Sequence, residues 1–247
     1  MRRPIRSSAV EPARTRDPDV ALTWALELQG LDSPAAFLLA PSRFAFAERT
    51  DDSYALTLRG DQWFGAGYGP SPPLRPEWQT CFIDHSSFGE RVGDLVRRDE
   101  WDFFTRNLSG QETGPPVDRV SDDAALNSLL SGHAPHSRVW PGDPEIEAWY
   151  GVSDEAGLAS VAALVRWESG YHVISSVATR TDARGRGLAQ IVVMGLARDA
   201  ATRGVSWLGL GVAQDNHVAQ RLYERTGFTR RAEYSVYSSP DRAVDAP

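Results

Sequence analysis

The chain has 247 residues, enough for one large or two modest domains, and its 41% apolar and 24% charged content is that of an ordinary globular protein. Its net charge of -7 is shared evenly, with 13 arginines against 17 acids in residues 1–115 and 13 against 16 in residues 116–247, which argues against a polyanion-binding surface in either half. All 26 basic side chains are arginine, and the lack of lysine excludes a Walker A loop, the protein-kinase strand lysine and a pyridoxal-phosphate Schiff base.

Residues 1–18 combine Arg, Pro and Ser without apolar periodicity and read as a mobile arm. Asp19 is placed to cap a helix whose stripe of Leu22, Ala25, Leu26 and Leu28 ends at Gly30. Four strand patterns follow, AFLLA (36–40), RFAFAER (43–49), YALTLRG (54–60) and QWFGAGYG (62–69), separated by Asp, Ser and Gly turns. PSPPLRPEW (70–78) holds four prolines and fits no regular element. The spacing of Phe88, Val92, Leu95 and Val96 predicts a helix over 88–107. SGQETGPP (109–116) reads as a linker.

Beyond it, VDRV (117–120) is a short strand, and Ser121 or Asp122 caps a helix through Ala125, Leu126, Leu129 and Leu130. HAPHSRVWPGDPE (133–145) is irregular. Its two histidines are poorly placed for a metal because Pro135 breaks the helix that would align them, so no metal is expected. EAWYGV (147–152), LASVAALVRW (158–167) and YHVISSVAT (171–179) form an antiparallel meander joined by tight turns. The acids of Pro141–Glu155 suit either a solvated rim or attraction of a cationic acceptor. No internal repeat of fixed period is visible.

The meander runs into Arg184-Gly185-Arg186-Gly187-Leu188-Ala189, which opens a helix with an apolar face at Leu188, Ile191, Val192, Leu196 and Ala200. The first N–H groups of a helix lack internal partners and carry the positive end of its dipole, so a phosphate is well received there. Glycines at 185 and 187 permit positive φ and close approach. Gln190 stands where a dinucleotide fingerprint wants glycine or alanine, which disfavours a Rossmann reading. A second strand, Ser206–Val212, leads to a helix capped by Asp215 or Asn216, with a stripe of Val218, Ala219, Leu222 and Tyr223, and ended by Gly227.

Arg184, Gly187 and Ala189, followed by Asn216, Ala219, Leu222, Tyr223, Gly227 and Phe228, give R-x-x-G-x-A and N-x-x-A-x-x-L-Y-x-x-x-G-F. This pair of motifs resembles the GNAT superfamily of acyl-CoA-dependent N-acyltransferases from about Leu158 to Tyr237, and more loosely back to Val117. The resemblance implies an α/β fold with a mixed, mostly antiparallel sheet flanked by helices. The GNAT-like domain is read as 116–240 and the tail as 241–247; the resemblance says nothing clear about residues 1–115, of which 19–115 are read from their pattern as an additional N-terminal α+β domain. The resemblance implies acetyl-CoA or another acyl-CoA as co-substrate, with its pyrophosphate on the backbone of Arg184, Gly185, Arg186, Gly187, Leu188 and Ala189. Pantetheine would lie along Val177, Ala178 and Thr179, where the strands splay, and Asn216 would contact the cofactor arm or only cap its helix. Tyr223 occupies the position of the general acid for the leaving thiolate.

The general base stays open among Glu168, His172, Glu145, Glu147 and water, because Tyr171–Thr179 carries no Asp or Glu. The resemblance further implies transfer of acetyl to a primary amine, of a small molecule or of a protein N-terminus or lysine, without nucleic acid or membrane; a homodimer is compatible with it. A non-catalytic acyl-CoA-binding module is the second reading. Residues 19–115 read as a degenerate GNAT-like half or as an acceptor-binding domain, with Trp63, Phe64, Trp78, Trp101 and Phe103 either core or pocket lining. Cys81 is the only cysteine, no apolar h-region follows Arg2, Arg3 and Arg6, and no run reaches about 18 apolar residues, so a soluble cytoplasmic protein is expected.

Overall fold

The computed structural model of the chain describes residues 11–84, 91–108 and 112–240. The N-terminal elements are β1 (Ala13–Thr15), α1 (Pro18–Gln29), α2 (Pro34–Leu38), β2 (Phe44–Arg49), β3 (Tyr54–Arg59), β4 (Trp63–Tyr68), β5 (Thr80–Asp84), β6 (Arg91–Val92) and β7 (Leu95–Asn107). They are followed by β8 (Asp118–Val120), α3 (Asp123–His133), β9 (Ile146–Asp154), β10 (Gly157–Arg166), β11 (His172–Thr179), α4 (Leu188–Thr202), β12 (Trp207–Ala213), α5 (His217–Arg225) and β13 (Thr229–Ser238). The described strands join one mixed, mostly antiparallel sheet in the order β1-β2-β3-β4-β5-β13-β7-β12-β11-β10-β9-β8, with β6 hanging on β7.

That order repeats itself. A short edge strand, a helix and a three-stranded meander lead to a strand parallel to the last of the meander, first as β1-α1-β2-β3-β4-β5 and again as β8-α3-β9-β10-β11-β12. The closing strands are exchanged. β7, at the end of the first series, pairs with β12 of the second, and β13, at the end of the second, pairs with β5 of the first. The two exchanged strands lie side by side at the centre, so the sheet crosses the 109–116 segment without a break.

Several expectations are corrected here. The helix expected over 88–107 is strand from Arg91, residues 88–90 lying outside the described part. β7 is a buried central strand: Trp101 and Phe103 enter one apolar cluster and Phe104 the opposite one. Aromatic residues bonded on both sides by ladders outweigh a short 3.6-residue pattern. AFLLA is no strand: its first three residues close α2, because Ser33 caps Ala36 N–H at 3.4 Å and Pro34 starts the turn, and Leu39 already leaves the helix in extended conformation.

Asp17, not Asp19, caps α1 and accepts from Asp19 N–H, and the helix starts at Pro18. Nor are residues 11–18 a free arm. β1 pairs with β2, and Arg14 bonds the buried carboxylate of Glu48, as does Arg75 from the proline-rich segment. Residues 1–10, the centre of the expected linker at 109–111, and the tail at 241–247 lie outside the described residues. In the rest of that linker, Glu112 pairs with Arg106, and Gly114 packs so closely on α4 that a Cβ would stand 2.7 Å from the Met194 carbonyl oxygen.

Apolar side chains fill both faces. One carries α1, α2 and α3; the other carries α4 and α5 at the C-terminal end and, at the N-terminal end, Trp78 and Leu74 of the proline-rich crossover. No helix among the described residues is long and apolar enough to cross a membrane.

Candidate active site

β10 and β11 stay bonded along their lengths, but β11 and β12 are in register only at His172↔Leu208 and Val173↔Gly209. Beyond those pairs they diverge, opening a cleft of about 1280 Å³. Pairing with β10 shifts by one residue between Val161 and Ala163, which places the extra residue of a bulge at Ser176–Val177. Ser176 has φ of 48°, the one positive value outside glycine among the described residues. Its hydroxyl fixes the bulge, donating to Val139 O at 3.0 Å and accepting from Val139 N–H at 3.1 Å. The loop after α3 is thereby clasped to the strand lining the cleft.

After β11 a short 3-10 turn, Thr181–Ala183, leads to the glycine-rich segment. Gly185 and Gly187 have φ of 76° and 74°, and a Cβ at either would meet nothing within 4 Å, so conformation rather than crowding calls for glycine. Gly187 caps α4 without a side-chain hydrogen bond, and the first helical bond is Ile191 N–H to Gly187 O at 3.1 Å. The N–H groups of Leu188, Ala189 and Gln190 thus precede any helical partner, and all three residues line the cleft.

The two arginines are set by the frame. Arg184 donates to Thr179 O and His133 O, both at 3.2 Å, tying the turn to the end of α3. Arg186 pairs with Asp154 at 2.7 Å, and Arg180 bonds the same carboxylate, so Arg180 and Arg186 hold Asp154 down at about 2. His133 Nδ1 meets Thr181 Oγ1 at 3.0 Å, a further tie between α3 and the turn.

Of the residues singled out in the sequence, Val177, Ala178, Thr179, Arg184, Gly185, Gly187, Leu188, Ala189, Asn216 and Tyr223 line the cleft together; Arg186, turned to Asp154, does not. Asn216 caps α5, its amide oxygen accepting from Ala219 N–H at 3.1 Å. Tyr223 is 7% exposed, between Phe228 and Phe104, with ring centroids 6.0 and 6.4 Å away. Burial pushes its phenol up to about 12, so it keeps its proton at neutral pH.

Glu168 is not brought to the cleft. In its exposed turn the carboxylate accepts from the Ser42 hydroxyl at 2.8 Å and from the Ser42 N–H, so the structure places it as a clasp on the N-terminal half. His172 and Glu147 pair with each other at 3.2 Å, and Glu147 also binds Arg203; although partial burial acts to raise it, Arg203 and His172 hold Glu147 below the usual carboxylate range. Glu145 is the only carboxylate among the described residues lining the cleft. Trp101 and Phe103 line it and also belong to the core, whereas Trp63, Phe64 and Trp78 do not reach it. Sequence reading missed Ser176 and Val139; two adjacent serines in an otherwise apolar strand were the only signal. No group of three or more His, Cys, Asp or Glu able to hold a metal occurs among the described residues.

The pattern of the acetyltransferase (GNAT) family matches residues 104–228, just over half of the chain. Among solved structures, the fold is similar to a GCN5-related N-acetyltransferase from Sphaerobacter thermophilus, at 17% identity and a TM-score of 0.59, covering 96% of this chain and 98% of that one. A Drosophila protein aligns at 12% identity and a TM-score of 0.60, over 94% and 99% of the two chains. A putative GNAT acetyltransferase from Novosphingobium aromaticivorans aligns at 21% identity and a TM-score of 0.51, over 76% and 74%. No curated protein matches the chain.

Proposed function

Because the chain belongs to the GNAT acetyltransferase family, we propose that it transfers acetyl from acetyl-CoA to a primary amine by direct attack within a ternary complex. The observation that carries the proposal is the meeting of a splayed strand pair, a helix N-terminus with unpartnered N–H groups and a buried tyrosine in one cleft. The residues present fit the co-substrate. The N–H groups of Leu188, Ala189 and Gln190 and the open glycines suit a pyrophosphate, and the unpaired edge of β11 at Val177–Thr179 suits an amide-bearing arm.

When bound, acetyl-CoA supplies a thioester carbonyl and a thiolate leaving group. At the bulge Val177 has no register partner on β10, and its N–H is proposed as a donor to an oxygen gaining negative charge. As the amine nitrogen bonds the carbonyl carbon and the carbon–sulfur bond breaks, Tyr223 gives its proton to sulfur. The proton shed by the amine leaves to water in the open cleft. An amine with a pKa near 10 must be neutral to attack, so kcat/KM rises with pH across the neutral range.

For residues 19–115 we propose a degenerate GNAT-like half, supported by the repeated order of elements, that lends β7 to the acceptor side of the cleft.

Isothermal titration with acetyl-CoA, followed by thiol-release assays over a panel of amines, tests the assignment. Binding with amine-dependent thiol release is expected. Binding without release from any amine would instead favour the acyl-CoA-binding module, and absence of binding would sink both.

A further inference from the structure

Resting on that reading, we infer that Asp154 is a positioning residue for the co-substrate: through Arg186 it holds the glycine turn in the conformation that receives the pyrophosphate. By charge alone a carboxylate beside that turn opposes an anionic ligand. Any benefit it brings to binding therefore comes through the groups it holds.

The turn has few other holds. Gly185 and Gly187 take positive φ, and no neighbour stands within 4 Å of where a Cβ would be at either. Glycine widens the conformations open to such a segment. Among the described residues, the N–H groups of Gly185, Arg186 and Gly187 make no hydrogen bond to another backbone group. The side-chain anchors are Arg184, on Thr179 O and His133 O, and Arg186, on Asp154. Arg186 stands between the two glycines, so its contact fixes the middle of the turn.

Asp154 is itself well fastened. It ends β9 and pairs with Gly157 across the tight turn into β10. Its Oδ1 accepts from Ala156 N–H at 3.0 Å and from Arg180 at 2.9 Å, and its Oδ2 from Arg180 at 3.0 Å and from Arg186 at 2.7 Å. Arg180 also bonds Asp182 at 2.6 Å and Leu158 O at 3.4 Å. The Asp154 and Arg180 side chains are only 19% and 16% exposed, which sets this network apart from an open surface pair of little consequence. One carboxylate thus ties the residue just after β11 and the centre of the glycine turn to the β9–β10 hairpin. A turn ordered before its ligand arrives binds without the cost of ordering.

Charge and positioning predict opposite signs for one substitution. Asp154→Asn removes a negative charge and frees Arg186, so an effect of charge alone would tighten acetyl-CoA binding. If Asp154 positions the turn, the same change weakens it. Isothermal titration of the full chain is expected to show Kd for acetyl-CoA raised about tenfold in Asp154→Asn, with kcat at saturating acetyl-CoA within about twofold. Arg186→Gln, at an exposed side chain, breaks the same contact from its other end. Because the two changes share one contact, the double variant is expected to bind within about twofold of the weaker single variant. S-acetylpantetheine carries the thioester and the amide-bearing arm but no phosphate, so its affinity is expected to stay within about twofold in all three variants. Tighter or unchanged acetyl-CoA binding in Asp154→Asn overturns the proposal alone. An equal loss with S-acetylpantetheine also overturns it, since the whole cleft would then be damaged. Absence of acetyl-CoA binding to the unaltered protein overturns the transferase reading and this proposal with it.

Discussion

The two halves of the sheet run through the same order of elements, yet only one of them opens. In the C-terminal half β11 and β12 part after two paired positions, and the crossover between them is α4, whose N-terminus faces the gap. In the N-terminal half β4 and β5 stay paired over four positions, from Phe64↔Thr80 to Gly67↔Ile83. Their crossover holds four prolines and no helix, and it lays Trp78 flat on Gly65, where a Cβ would fall 2.0 Å from the ring. The same architecture therefore makes an open cleft or a solid wall according to what crosses between two parallel strands. Proline denies the N-terminal crossover both the helix and its unpartnered N–H groups, and tryptophan fills the space that a ligand would take.

Truncating the wall is the sharpest test of this contrast. Trp78→Ala removes a ring that is 3% exposed and its bond to Thr57, and should destabilise the fold by about 3–5 kcal/mol, read by denaturant unfolding. Acetyl-CoA affinity of the protein that remains folded should not change; a parallel loss of affinity would show that the N-terminal half shares in binding. In the open half, Tyr223→Phe should lower kcat by about 100-fold with acetyl-CoA affinity unaltered, as expected for a proton donor, and equal turnover would remove Tyr223 from the reaction.

Ser176→Ala should lower kcat by about tenfold by releasing the bulge from Val139, with little change in melting temperature. Ser176→Gly relieves the positive φ but also loses the clasp, so a similar fall in kcat marks the clasp as the cause; recovery with glycine would mark strain instead.

The smallest effect is one of pH. Tyr223 ionises near 10 when unfolded and about 12 when folded, because burial disfavours the phenolate. The folded state therefore holds its proton more tightly. That contribution to stability is complete below 10 and is lost as pH rises from 10 toward 12. Burial raises Tyr54, Tyr68 and Tyr234 in the same direction, so unfolding should set in on the alkaline side above pH 10, followed by tyrosinate absorbance. The transfer rate should show no descending limb between pH 7 and 10.

The C-terminal unit was legible in the sequence because its signals are local. A period-2 meander, Gly185 and Gly187 with positive φ, a cap at Asn216 and a stop at Gly227 each act within a few residues, and each is where the pattern puts it. The helix expected over 88–107 failed because β7 owes its form to two partners distant in sequence, β12 and β13, which no local window contains. The position of Glu168 was hidden for the same reason: it is decided by Ser42, 126 residues away. Nor did any period betray the repeated order of elements, since prolines and a tryptophan stand in one half where a helix stands in the other.

By itself, then, the sequence determined the glycine turn that opens α4 and the tyrosine helix, through backbone conformation and capping that need no distant partner. Tertiary structure alone decided the exchange of β7 and β13, the clasp of Ser176 on Val139 and the packing of the Trp101 ring against Gly211. Each of these is a contact between segments far apart along the chain, and only the packed sheet brings them together.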